Sequence, residues 1–241
     1  MNKKQINRLR RIGLDLDWQA AFGGRSRGNR HLFRVVKLAG YLARAEGADP
    51  SIVEAAAWIH DSALPSGNDY EYARNRRIAL KLLKPLGLEQ AEAIAVAEAV
   101  ASHEGTMAPA SLEAQIIHDA DALEKCGVLG LIRHTWKTIH RDERARSRQR
   151  LSLAQVNGVV DHVKWRQTQL HTATAKRISR YLGKGIRRDI ARRIVTLVAP
   201  LAAQGLITEQ IVRAILKDIP APLARRLQEQ LSLRYLKHSL S

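Results

Sequence analysis

One cysteine in 241 residues, Cys126, excludes an intrachain disulfide and points to a reducing compartment. Aromatic residues make up only 5% of the chain, which disfavours recognition by extensive ring stacking. No apolar run approaches the roughly 18 residues that a membrane span needs. The first residues, Met1 to Gln5, are basic, but no apolar signal-type run follows them. These absences lead to the expectation of a soluble cytoplasmic protein. The glycine-rich stretch 23–29 resembles a phosphate-cradling loop only loosely, because the Lys-Ser or Lys-Thr of a P-loop does not follow it. Strand-type alternation, internal repeats and low-complexity tracts are missing as well, and the predicted fold is all-α.

Acidic residues are scarce in one half of the chain. Residues 1–130 carry 17 Lys+Arg against 16 Asp+Glu, whereas residues 131–241 carry 23 against 7. Almost all of the net charge of +17 therefore lies on the C-terminal side. So lopsided a field attracts polyanions such as a nucleotide, RNA, DNA or acidic headgroups. Aromatic residues there are few (Trp136, Trp165, Tyr181, Tyr235), so backbone phosphate contact is favoured over base stacking.

The hydrophobic content of 45% supplies a core. Helical spacing runs through 4–14, 30–46, 50–59, 69–86, 89–103, 111–126 and 128–140. The Arg-rich stretch 141–150 has little apolar content and is predicted to be a linker. That gives an N-terminal domain at 1–140 and a basic helical region at 141–241, serving polyanion binding or homo-oligomerisation. Beyond the linker the spacing predicts one long helix over 152–182, then helices at 186–203, 208–218 and 222–238.

Within the first part, one dipeptide stands out. His60-Asp61 closes the apolar run Val53–Ile59. An imidazole and a carboxylate at the end of an oily helix are costly to bury without a partner. A divalent ion suits both, although a capped helix end with an exposed Asp is the plainer reading. His31 lies upstream at the start of another apolar helix. Asp121 lies downstream in Asp119-Ala120-Asp121-Ala122-Leu123, with Gly127 and Gly130 behind it.

This order, His31, then His60-Asp61, then Asp121, resembles the HD superfamily of metal-dependent phosphohydrolases over residues of about 25–135. The likeness is to small HD hydrolases whose last motif reads Asp-Ala-Asp-x-Leu. Ala122 departs from the Arg that such proteins often carry there. The resemblance implies a helical bundle in which His31, His60, Asp61 and Asp121 converge on a divalent ion (Mn, Fe, Ni, Co, Zn or Mg). His103 and His118 fall in the interval where two-metal members carry extra ligands, which makes them candidates for a second ion. By the same resemblance Asp61 holds the attacking water, and His103 protonates the leaving oxygen or binds phosphate. Arg30, Arg34 and Lys125 are the cations placed to meet that phosphate. The expected reaction is hydrolysis of a phosphoester of a nucleotide or nucleic acid. The rival reading is a nucleic-acid-binding or interaction protein built on a non-catalytic HD core.

Overall fold

Regular structure in this chain is helical throughout the described residues, which in the computed structural model are 1–20, 24, 30–66, 69–105 and 107–237. The Gly/Arg stretch at 23–29 therefore lies, apart from Gly24, outside them. None of the helices is long and apolar enough to cross a membrane. The chain divides into two compact units, Met1–Asp121 and Ala122–Ser241.

The first unit contains α1 (Lys3–Asp15), α2 (His31–Glu46), α3 (Pro50–Ile59), α4 (Tyr72–Leu83), α5 (Gln90–Ala101) and the start of α6 (Leu112–Glu124). Local chemistry fixes most ends. Asn2 and Gln5 form a reciprocal capping box on α1. Gly47 stops α2 at φ 79°, and Asp49 then caps α3 with Pro50 in its first turn. The centre of the unit is α3, which packs against α1, α2 and α5. Its run Ala55, Ala56, Ala57 is fully buried, and such small side chains let the neighbouring helices approach closely.

The closest approach is at Gly13 of α1, where an added Cβ would lie 1.9 Å from the Trp58 carbonyl oxygen of α3. Gly13→Ala should therefore lower stability by about 1–3 kcal/mol, as overpacked cores do. Gly40 on α2 meets nothing nearer than the Arg44 guanidinium at 3.7 Å. There alanine should raise stability by about 0.5–1 kcal/mol through helix propensity. Thermal denaturation of the two variants tests the pair; shifts of the same sign would contradict the α1–α3 contact.

The second unit holds α7 (Gly127–Arg141), α8 (Glu143–Ser147), α9 (Leu153–Thr168), α10 (Ala173–Gly183), α11 (Arg188–Ala203), α12 (Thr208–Ile215) and α13 (Ala221–Ser232). Its core forms where α7 packs on α9 and α11, through Val128, Leu131, Ile132, Trp136 and Ile139 on the α7 side. Two expectations need correction. The stretch 141–150 is not a structureless linker but contains α8, because Asp142 caps the Ala145 amide at 3.1 Å and Ala145 is buried. It lies within the second unit, while the division falls at Asp121/Ala122. The single helix expected over 152–182 is two, because the chain turns at Gln169–Thr172 to keep Leu170 buried. The Thr172 hydroxyl then caps α10 at the Ala175 amide.

In this unit the His134 ring stacks on His162 at 3.9 Å and 8°. Burial, then the positive surroundings of His162, Lys137, Arg166 and Lys125, press the His134 pKa down to about 3. The fold thus holds His134 neutral, while the unfolded chain protonates it near 6.5. Its contribution is complete above about pH 6.5 and is lost as pH falls toward 3. Melting temperature should drop across that window, and His134→Gln should flatten the drop in a pH series of thermal melts.

Candidate metal centre

Four elements of the first unit deliver the site. His31 is the first residue of α2, and His60-Asp61 follows the last turn of α3. His103 follows α5, and Asp121 lies on α6. His31, His60, His103 and Asp121 are all buried. The carboxylate of Asp61 sits among the three rings. Its Oδ2 is 3.3 Å from His60 Nε2 and 3.6 Å from His31 Nε2, while its Oδ1 faces His103 Nε2 at 3.8 Å. Asp121 Oδ1 completes the near side, 3.4 Å from His31 Nε2 and 4.0 Å from His60 Nε2.

The ring tautomers are set by backbone. His60 Nδ1 meets the Ala57 carbonyl at 2.9 Å, and His103 Nδ1 meets the Val100 carbonyl at 2.7 Å. In each case the acceptor lies three residues back, at the end of a helix. A carbonyl only accepts, so Nδ1 carries the hydrogen and Nε2 is left to face the carboxylates. This is how a metal-ligating histidine is oriented. The Nε2 atoms of His60 and His103 are buried and have no hydrogen-bond partner. Orphaned polar atoms of this kind are uncommon in folded proteins.

These residues fit a divalent ion. Donor atoms about 2.1 Å from one ion lie roughly 3.0–3.4 Å from each other at right or tetrahedral angles. The His31–His60–Asp61–Asp121 separations of 3.3–4.0 Å need little closing to reach that. Burial alone would lower the His60 pKa, but Asp61 and Asp121 override it and raise it to about 9. Burial would likewise raise Asp61; His60, His103 and His31 instead hold it well below the usual carboxylate range. Without an ion, a proton on His60 balances the paired carboxylates.

Of the residues expected from sequence, His31, His60, Asp61, Asp121 and His103 are brought together. His118 is placed differently, with its Nδ1 at 2.9 Å from the His103 backbone carbonyl, and Asp61, Asp69 and His103 form a second group whose ligand atoms lie within 4.8 Å of one another. Asp69 is 4% exposed and was missed by sequence reading. Asn75 Nδ2 donates to the Asp69 carbonyl at 2.6 Å and fixes that segment. Gly105 lets it approach: its φ is +98°, and a Cβ there would lie 2.4 Å from the Tyr70 carbonyl oxygen. The sequence Ser102-His103-Glu104-Gly105 held the available signal. Arg30 is exposed in a left-handed conformation at the start of α2, Arg34 is buried one turn beyond His31, and Lys125 belongs to the second unit.

Comparison with known proteins finds the same fold. Among solved structures, a structural-genomics target from Lactobacillus plantarum is 23% identical with a TM-score of 0.59, covering 80% of this chain and 94% of its own. Bacillus subtilis YpgQ is 21% identical with a TM-score of 0.54, covering 91% of this chain and 97% of its own. The same protein in complex with ADP is 19% identical with a TM-score of 0.51, covering 89% and 99%. At these identities the likeness is one of fold, and it reaches well into the C-terminal part that sequence reading left without a counterpart. No curated protein matches. The family model for the HD domain matches residues 29–126, a segment that holds all five of the clustered residues.

Proposed function

We propose that the chain is a metal-dependent phosphohydrolase acting on a phosphoester of a nucleotide or nucleic acid. The observation that carries this reading is Asp61, a buried-site carboxylate with one oxygen toward His31 and His60 and the other toward His103. His31, His60, Asp61 and Asp121 would hold the ion, which when bound neutralises phosphoryl charge and acidifies water. Asp61, kept ionised by its histidine neighbours, accepts a hydrogen bond from the attacking water and orients it. On the far side His103 Nε2, with Asp69 close by, donates to the leaving oxygen. Arg30, exposed one residue before His31, offers a guanidinium fork to the phosphate. The ADP complex of the YpgQ neighbour supports a nucleotide as substrate class.

The test is hydrolysis of nucleoside mono-, di- and triphosphates, and of a phosphodiester, by protein loaded in turn with Mn, Fe, Ni, Co, Zn and Mg. Turnover with one substrate class that stops on chelation supports the proposal. Protein that binds an ion stoichiometrically yet turns over none of these esters would refute it.

A further inference from the structure

The second unit carries a groove unrelated to the metal centre. A cavity of about 460 Å³ is lined by Tyr181 of α10 and by Ala221, Pro222, Arg225 and Arg226 of α13. Tyr181 is 38% exposed, unusual for so large a ring. Its hydroxyl donates to Glu229, which also receives Arg225 Nε at 3.0 Å. One carboxylate thus fixes both the ring and a guanidinium. Arg226 lies 6.0 Å from the Tyr181 ring centroid and donates to the Lys184 carbonyl, while its Nε–H meets no acceptor.

Cations continue past the cavity. Arg177 shares the Tyr181 stripe of α10 one turn earlier, and Lys184 follows directly after the helix; both are exposed, as is Arg180 beside them. α10 contains no acidic residue, and Glu229 is the only one in α13. We propose that this groove binds single-stranded nucleic acid. Arginine forks match phosphate oxygens, and an exposed tyrosine face accepts an unpaired base whatever its identity. A duplex hides its base faces, and a free nucleotide has no use for the cations that run along α10 beyond the cavity. This inference is independent of the hydrolase reading.

Fluorescence anisotropy of short labelled single-stranded RNA and DNA with the full chain tests it, at low and at physiological salt. Binding should weaken steeply with salt. Arg225→Glu with Arg226→Glu should weaken it at least about tenfold, and Tyr181→Ala by roughly five- to a hundredfold. Arg213→Glu with Lys217→Glu makes the same charge change on exposed residues at α12 and should alter affinity by less than about twofold. Arg225→Ala alone, at a residue whose side chain is 80% exposed, guards against misfolding of the double variant. Metal-dependent hydrolysis of a small ester should be unchanged in all of them. Equal loss in the α12 control would reduce the effect to diffuse basicity and overturn the site. So would absence of binding at low salt, or displacement of the strand by micromolar ADP, which would make the occupant a free nucleotide.

Discussion

Replacing Asp61 by alanine should strip the divalent ion from the protein and lower phosphoester hydrolysis by at least about a thousandfold. Its Oδ2 is the oxygen nearest both His31 and His60, so the near side of the site loses its most central ligand. The loss is also electrostatic. With Asp61 present, the pair of carboxylates raises His60 to about 9 against the effect of burial. Without it, the largest influence opposing burial is gone and the His60 pKa should fall, leaving Asp121 as the remaining carboxylate of the set. Two consequences separate this from simple misfolding. Ion uptake by the wild-type protein should release about one proton at pH 7, because His60 must give up its proton to ligate. Affinity should accordingly rise with pH, up to about 9, where that proton is already gone. Elemental analysis gives the stoichiometry, and titration calorimetry in buffers of different ionisation enthalpy gives the proton count. Retention of a full equivalent of ion by Asp61→Ala would show that the ion lies elsewhere.

The parts of this site legible in the sequence are those written as local chemistry. His60-Asp61 was visible because a polar pair ended a run of residues that the fold buries almost completely. Asp121 and His31 were visible because each sits on an apolar helix in the order a known family uses. Asp69 was invisible for the opposite reason. It lies outside any helix, held where Asn75 binds its carbonyl and Gly105 admits Tyr70 from a distant position. No periodicity encodes such a contact. His118 shows the limit of spacing from the other side. Its interval fitted a ligand, but spacing along α6 says nothing of the His103 carbonyl that its ring meets. The helix break at Gln169–Thr172 was missed because Leu170, Ile178 and Leu182 keep a tolerable helical period across it, while the Thr172 cap, a single residue, decides the turn.

His103→Gln and Asp69→Asn should each lower turnover by about a hundred- to ten-thousandfold, the range of lost acid–base assistance, while leaving the ion on His31, His60 and Asp121. The reasoning rests on the split of Asp61. Its Oδ1 faces His103, while Oδ2 is the oxygen near His31 and His60, so this side can be altered without touching the near-side ligands. Gln keeps a polar group of similar reach but cannot donate a proton at neutral pH. Asn removes the charge of Asp69 and keeps its shape. If the two residues act as one unit on the leaving oxygen, the double variant should be scarcely worse than either alone, as coupled groups are. Its ion content should then equal that of the wild type, with the whole effect in kcat. If they hold a second ion instead, each variant should lose one of two equivalents, and excess metal should restore part of the rate. Gly105→Ala provides the independent check. A methyl group there displaces the segment at Tyr70, and with it Asp69, so its rate should fall toward that of Asp69→Asn although no ionisable group has changed. Wild-type rates in that variant would show that Asp69 has no part in the reaction.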